Sequence, residues 1–457
     1  MPRWSLGAWS FGALAIVVSL ARSAPADAFR LLASDHEAAQ ARVDLIDQAT
    51  VSIETSYYWI GNDRIGAMFL SRLEAAARRG VRVRLVVDAE HNDVPLEVEA
   101  LLIRSGVEIR EYHPVGLRHP LWINYRMHDK TLVVDGKHLI VGSRNIREPH
   151  FGLAEINFVD RDAYLRGPTA RQVQRYFECL WTCAEVAPPD LGRQPHRRRE
   201  RSSLDLTKVG VRQVTGPLSP QEAARLWLEA ASDVAVGCQP ILGETETDWS
   251  AAGTRQTECL RFVFDPCGRK GHPRGISRQL IDLIDGARSS ILFETPYFLM
   301  SSRLKRALAG AIARGVQVRV LTNSLETTDH RTLTAGFTNQ KQCFLLPRGV
   351  DVWELAGDDR HLHAKSAVFD GSIAFVGSYN FDPRAEYLNT ETGVIINAPE
   401  IAAWVESSIR DHMRGSYHIG SDGRDRAEGR RFPGASAGQI LNMEPLRFVA
   451  PLVRRCL

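Results

Sequence analysis

The chain has 457 residues, 44% of them hydrophobic and 24% charged, with 57 Lys and Arg against 54 Asp and Glu. That hydrophobic content excludes a disordered chain, and the length exceeds one ordinary core and suits two domains of about 200 residues each. A surplus of three positive charges weighs against a dedicated nucleic-acid binder, in which phosphate neutralisation shows as a basic excess.

Behind Arg3 runs WSLGAWSFGALAIVVSLA, uncharged and largely apolar, and then RSAPADAFR, where Ala26 and Ala28 form an A-x-A cleavage pattern ahead of Phe29. Residues 1–28 are expected to be a signal peptide or an N-terminal anchor, because Trp4 to Ala21 is 18 residues and near the spanning minimum. Either reading exports the remainder of the chain, as a periplasmic, secreted or membrane-anchored protein.

Next come TVSIETSYYW around Glu54 and Thr55, a β-prone run, and RLEAAARRGVRVRLVVD, an apolar-periodic helix stopped at Gly80 before an alternating strand. SGVEIREY from Ser105 is another strand, and HPVGLRHPLWINYRM a long loop leading to HDKTLVVDGKHLIVGSRN, His128 to Asn145. His128 and Lys130 flank one residue and share a face of an extended segment. From Ala187, APPDLGRQPHRRRERSS has the prolines and charges of a surface linker; its basic run, Arg197 to Arg199 with Arg201, is either solvated or in contact with acidic headgroups. In SPQEAARLWLEA, Ser219, Pro220 and Glu222 spell a capping box, which is taken to open a second lobe.

The second half repeats the first. SSILFETPYF carries Glu294 and Thr295, LAGAIARGVQVRVLTN carries Gly315, RGVDVWEL begins at Arg348, and HAKSAVFDGSIAFVGSYN runs from His363 to Asn380. His128 to His363 and Gly80 to Gly315 are both offset by 235, Glu54 to Glu294 by 240 and Val107 to Val350 by 243, so length changes fall in connections. The tail after Tyr417 reads as mostly loop, and its last stretch LRFVAPLVRRCL as a short amphipathic membrane contact or a docked terminus. The expected class is α/β: two homologous lobes with mixed, mostly parallel sheets flanked by helices, related by a pseudo-two-fold axis within a monomer. Residues 29–186 form the first lobe, 187–216 the linker, 217–415 the second lobe and 416–457 the tail.

Seven cysteines, Cys179, Cys183, Cys238, Cys259, Cys267, Cys343 and Cys456, show no zinc spacing with accompanying histidines. They are buried small apolar residues or, in an oxidising compartment, disulfide partners, with Cys259 and Cys267 the nearest non-helical pair.

The repeat contains two copies of H-x-K-x4-D followed at equal distance by G-S-x-N: His128, Lys130, Asp135, Ser143 and Asn145, then His363, Lys365, Asp370, Ser378 and Asn380. A single histidine at such a position is a satisfied core residue; duplication with lysine and asparagine at fixed spacing overturns that reading. Asp135 and Asp370 precede glycine at a turn, where aspartate commonly bonds its own backbone, and are taken as structural. A lysine inside the motif repels a cation, so neither metal nor cofactor is expected.

The doubled set resembles the phospholipase D superfamily, whose members carry two such motifs and build one active site from both. The resemblance covers about Arg30 to Asp411, and RMHDKTLVVDG, VGSRNI, GSYNFDPR and YLNTETGVII look most like bacterial cardiolipin synthases and related secreted phospholipases. It implies that Lys130, Lys365, Asn145 and Asn380 bind a phosphodiester, with Ser143 and Ser378 either contacting the phosphate or shaping the loop. By the same analogy His128 attacks phosphorus to give a phosphohistidine, and His363 protonates the departing alkoxide. A downstream carboxylate is expected to hold each imidazole's far nitrogen: Glu155, 27 residues after His128, with Glu148 as the alternative, and Glu391, 28 after His363. The implied substrate is a phospholipid met at a membrane surface and hydrolysed or transferred to another alcohol, with no obligatory nucleic acid. A secreted nuclease with the same chemistry and a non-catalytic binding module are the competing readings.

Overall fold

Hydrophobic alternation, helical periodicity and glycine stops recur twice, and in the computed structural model, which describes residues 26–113, 124–189, 191, 204–214, 216–230, 234–236, 239–240, 253–268, 275–357 and 359–453, they become two sheets. The first half supplies β1 (Asp27–Leu32), α1 (Asp35–Asp47), β2 (Ser52–Tyr57), α2 (Arg64–Arg78), β3 (Arg82–Asp88), α3 (Leu96–Arg104), β4 (Val107–Tyr112), β5 (Lys130–Val134), β6 (His138–Gly142), β7 (Asn157–Val159), β8 (Asp162–Arg166), α4 (Pro168–Trp181) and β9 (Val186–Ala187). After the linker come α5 (Pro220–Glu229), a small pair β10 (Ala235–Val236) and β11 (Gln239–Pro240), β12 (Arg255–Thr257) and β13 (Leu260–Phe264). The second repeat follows as α6 (Gly275–Gly286), β14 (Ser290–Glu294), α7 (Ser302–Ala313), β15 (Gln317–Asn323), α8 (Arg331–Gln340), β16 (Asp351–Leu355), β17 (Arg360–Leu362), β18 (Ser366–Phe369), β19 (Ile373–Gly377), α9 (Pro383–Tyr387), β20 (Thr392–Asn397) and α10 (Pro399–Met413), and the tail as β21 (Tyr417–Ile419) and α11 (Ala437–Val453).

The nine-stranded sheet has the order β12-β1-β8-β6-β5-β2-β3-β4-β9 and the eight-stranded sheet β13-β20-β19-β18-β14-β15-β16-β21. Strand for strand, β8-β6-β5-β2-β3-β4 matches β20-β19-β18-β14-β15-β16. The α/β class with two homologous lobes therefore holds, but "mostly parallel" does not. Parallel pairing within these sheets is confined to β2–β3–β4 and β14–β15–β16. Downstream of the crossover helices each half doubles back in tight hairpins, which permit only antiparallel neighbours.

Those hairpins turn on Asp135-Gly136 and Asp370-Gly371, all four with positive φ (54°, 60°, 51° and 61°), the conformation that Asp-Gly adopts in short hairpin turns. The two carboxylates reach the neighbouring loop rather than their own turn. Asp135 accepts from the backbone N–H groups of Thr50, Val51 and Ser52, and Asp370 from those of Arg288, Ser289 and Ser290, at 2.7–3.3 Å. The helix stops at Gly80 and Gly315 take φ of 91° and 88°, as left-handed C-terminal caps do.

The capping box forms as expected, Ser219 and Glu222 bonding reciprocally, but α5 is not part of the second lobe. Trp227, fully buried, sits with Ala224 and Leu228 in the core under α1 to α3, and its indole donates to Asn62 at 2.9 Å. β12 also pairs with β1, so the second sheet begins at β13. An amphipathic pattern states that a face is buried, not against which partner.

Between the lobes, Val133, Val141 and Leu165 of the first sheet pack in one cluster with Val368, Ala374 and Val394 of the second, flanked by Val173 of α4 and Val405 of α10. A disulfide joins Cys183 to Cys267 across 84 residues, tying the end of α4 to the segment after β13. This corrects the expected Cys259–Cys267 pairing: Cys259 is a free, exposed thiol. The tail is not mostly loop, because β21 extends the second sheet and α11 lies on α8, burying Met443 against Leu325, Ala335 and Phe432.

No helix among the described residues is long and apolar enough to cross a membrane. The apolar N-terminal segment, most of the loop before His128 and the basic run of the linker lie outside the described residues. Asp27 and Ala28 of the A-x-A pattern are strand residues, and Asp27 accepts from the Thr169 backbone N–H (3.1 Å) and hydroxyl (2.7 Å) in the first turn of α4.

Candidate active site

Each histidine segment is extended and lies against the other lobe. Met127 bridges to Thr390, and the His128 N–H donates to the Thr390 carbonyl at 3.1 Å. In the related half, β17 pairs with β7, and the His363 N–H donates to the Val159 carbonyl at 2.8 Å. The residues that follow these anchor points, Glu391 after Thr390 and Asp160 after Val159, meet the imidazoles. His128 Nδ1 donates to Glu391 at 2.9 and 3.0 Å, and His363 Nδ1 to Asp160 at 2.7 Å. The pairing is crossed, so each lobe's carboxylate serves the opposite lobe's histidine.

Glu155 is therefore corrected: it is exposed in the turn before β7, the first lobe's carboxylate is Asp160, which holds His363, and Glu391 holds His128 rather than the expected His363. Equal spacing from the histidine misled. Asn145 to Asp160 is 15 residues and Asn380 to Glu391 is 11; each half has a short helical turn three residues after its asparagine, Glu148–Phe151 and α9, and the added length falls between the first of these and Asp160. Glu148 itself is paired with Arg64 at 2.5 Å. A signal that finds Asp160 is its place immediately before the strand, β8, that matches β20.

Ser143 and Ser378 are also corrected. Both are fully buried, and their hydroxyls donate to the carboxylates, Ser143 to Asp160 at 2.6 Å and Ser378 to Glu391 at 2.5 Å, rather than facing a ligand. The glycines before them allow this close approach: a Cβ on Gly142 would lie 2.5 Å from the Asp162 Cα, and one on Gly377 2.5 Å from the Thr392 carbonyl oxygen. A third donor completes each carboxylate, Asn389 on Glu391 at 3.1 Å and His150 on Asp160 at 2.7 Å. Sequence reasoning passed over both.

Lys130 Nζ donates to the His128 carbonyl at 2.7 Å, and Lys365 Nζ to that of His363, so each lysine stays on its histidine's face of the extended segment. Burial lowers Lys130 to about 7, with repulsion from Lys365 adding to it, and burial lowers Lys365 to about 8 against the pull of Asp160 and Glu391. Two desolvated ammonium groups within electrostatic reach of each other make a place where a bound anion would be stabilised. Burial, together with the lysines, drives His128 well below its ordinary value and His363 down to about 3, leaving both rings neutral. With Nδ1 on a carboxylate, each neutral ring keeps its lone pair on Nε2. Burial pushes Glu391 up, whereas at Asp160 the two imidazoles overcome burial and hold the carboxyl well below the usual range.

Asn145 is buried, and its Nδ2 meets His150 Nε2 at 3.3 Å; Asn145 Oδ1 and Asn380 Oδ1 are buried without a partner among the described residues. The Tyr58 ring lies edge-on to His128 at 4.8 Å with Lys130 Nζ 5.0 Å from its centre, and its hydroxyl bonds His91 at 2.9 Å. Of the aromatic run that follows, Ile60 is core, while Trp59 bonds Asp93 at 2.6 Å beneath the Arg147 guanidinium. His150, Asp160 and His363 bring donor atoms within 4.8 Å of one another, a metal-like grouping. Both Nδ1 atoms there already engage Asp160, and the Lys365 ammonium beside His363 opposes a cation.

Two lobes of one topology, each orienting the other's histidine beside paired lysines, define a protein of the phospholipase D superfamily. The family described as "Cardiolipin synthase, PLD-like domain" matches residues 43–181 and 280–413, and the chain belongs to it. It is similar to cardiolipin synthase C of Escherichia coli, 29% identical over 81% of this chain and 81% of that protein. An uncharacterized protein of Helicobacter pylori is 26% identical over 85% of this chain and 80% of its own. Its fold is like that of phosphatidylserine synthase from Haemophilus influenzae Rd KW20, with a TM-score of 0.67 at 15% identity, over 94% of this chain and 95% of that one.

Proposed function

We propose that the protein is a phospholipase D-type enzyme that cleaves a phospholipid phosphodiester and passes the phosphatidyl group, through a phosphohistidine, to an alcohol or to water. The observation that carries this reading is the crossed pair of histidine–carboxylate contacts, which gives both imidazoles a fixed tautomer with Nε2 free for chemistry beside two lysines. Family membership and the similarity to cardiolipin synthase C support phospholipid as the substrate class.

His128 is the nucleophile. Its Nε2 forms the N–P bond as the P–O bond to the leaving alcohol breaks, and His363, protonated at Nε2 in the complex with the anionic diester, gives that proton to the departing oxygen. His363 then takes the proton of the incoming hydroxyl, whose oxygen attacks phosphorus and expels His128. The assignment is supported by the carboxylates: ionised Asp160 favours an imidazolium on His363, whereas His128 faces Lys130, Lys365 and His363, which favour its neutral, nucleophilic form. Lys130, Lys365, Asn145 and Asn380 are the phosphate donors.

The setting is a membrane surface outside the cytoplasm, a reading supported by the apolar N-terminal segment and by a disulfide, which oxidising compartments favour. The test is incubation with mixed phospholipids, with and without glycerol, and identification of products by mass spectrometry. Phosphatidic acid reports hydrolysis and cardiolipin reports transfer. Inert lipids beside degraded DNA replace this reading with the nuclease.

A further inference from the structure

Asp160 and Glu391 are served alike in two respects and differently in a third. Each accepts the Nδ1–H of the opposite lobe's histidine and the hydroxyl of its own lobe's serine. The third donor is Asn389 on Glu391, a group that never titrates, but His150 on Asp160, a group that does. His150 is 1% exposed and stacked on Phe158 at 4.6 Å, and its far nitrogen meets the Asn145 amide.

That arrangement couples a proton to an amide. Because His150 Nδ1 faces a carboxylate, it carries hydrogen in both charge states, so Nε2 is bare in the neutral ring and protonated in the imidazolium. Asn145 must present Nδ2 to the bare nitrogen and Oδ1 to the protonated one. In the structure Nδ2 faces His150, and Oδ1 is buried with no partner among the described residues. An unpaired carbonyl oxygen is the wrong pole for a phosphate. We propose that His150 is a proton-coupled positioning residue: a phosphodiester anion draws a proton onto it, turning Asn145 so that Nδ2 donates to the phosphate while Oδ1 accepts from His150.

The inference rests on the reading of Asn145 as a phosphate donor. The charges around His150 fit it. Asp160 and, from α1, Asp35 favour the proton, while Arg147, and His363 and Lys365 from the other lobe, oppose it; Arg144 donates to the His150 carbonyl. Burial keeps the ring below its ordinary value without ligand, and a bound anion supplies the negative charge that reverses the balance.

The probe is dimethyl phosphate, a diester anion with no titrating group near neutrality, bound by the full chain and followed by calorimetry at pH 7 in two buffers of different ionisation enthalpy. Wild type is expected to take up more protons on binding than His150→Asn, a replacement that copies the amide of Asn389, with folding of the variant verified by circular dichroism. Its affinity is expected to fall with rising pH more steeply than that of the variant, by up to about tenfold more per unit. In a double-mutant cycle His150→Asn and Asn145→Ala are expected to be non-additive. Binding with equal proton uptake in wild type and variant overturns the role of His150 and leaves the diester pocket standing. Failure of wild type to bind the diester overturns that pocket reading, and this inference with it.

Discussion

At the scale of single residues, the crossed contacts separate groups that face the reacting atoms from groups that hold them. His128→Ala and His363→Ala are each expected to abolish most turnover, by about 10⁴-fold or more in kcat, measured on the phospholipid that the product screen identifies. Asp160→Asn and Glu391→Gln keep the shape but offer an amide to Nδ1, and kcat is expected to fall by about 10²–10⁴. Glu155→Gln, exposed and remote in the same assay, is expected to change nothing. Full activity in Asp160→Asn with loss in Glu155→Gln would reverse the assignment.

The lysines add a pH dependence of their own. With Lys130 lowered to about 7 and Lys365 to about 8, their charge is complete below these values and lost above them, so KM for an anionic diester is expected to rise as pH climbs from 7 to 9. The same lowering means that the folded protein resists protonating Lys130 where the unfolded chain does not. That burden on stability is absent above pH 10.5, the ordinary lysine value, and complete below about 7. Lys130→Met is accordingly expected to raise the melting temperature at pH 6.5 while removing activity, a trade of stability for function read from one variant.

At the scale of elements, the Asp-Gly hairpins fasten the motif strands to the loop before the central strand of each sheet. For Asp135 and Asp370 burial raises the pKa, but the converging N–H groups win and hold it below the ordinary value. Their contribution is present above the unfolded value, near 3.8, and is lost as pH falls through the lower folded one. Asp135→Asn is expected to cost about 1 kcal/mol, given the exposure of the turn, with the loss read at pH 7 by thermal unfolding and shrinking as the pH falls below the unfolded value near 3.8. Elements of this kind were legible in the sequence: β2 through β4 and β14 through β16 follow from alternation and from helices stopped at Gly80 and Gly315, and the turns from Asp before Gly. The partner of each carboxylate was not. The pattern promised a bond within the turn, and the structure places it on a loop more than 80 residues away. Antiparallel returns were missed because a strand's residues do not declare the direction of its neighbour.

At the scale of the whole molecule, the lobes share a core, a two-stranded contact between β7 and β17, and one covalent tie. Cys183→Ser, or reduction, is expected to lower stability by about 2–4 kcal/mol, since the bridge closes a long loop of the unfolded chain, and to leave the histidine–carboxylate contacts in place. Unchanged melting under reducing conditions would count against the bridge. The duplication and most motif residues were visible from spacing alone, because chemistry fixes the residues that touch a ligand. The crossing was invisible: each half looked self-sufficient, and only the approach of β7 to β17 and of Met127 to Thr390 exchanges the supports. The sequence position of α5 likewise concealed that it returns to the first lobe.

The exchange bears on how such a chain comes off the ribosome. A nascent product that has completed its first half holds His128 with no acid behind it, since Glu391 is synthesised 263 residues later. Catalytic competence thus arrives only once Glu391, just ahead of β20, has been made and has met the first lobe, and a chain cut short of it is expected to lack turnover.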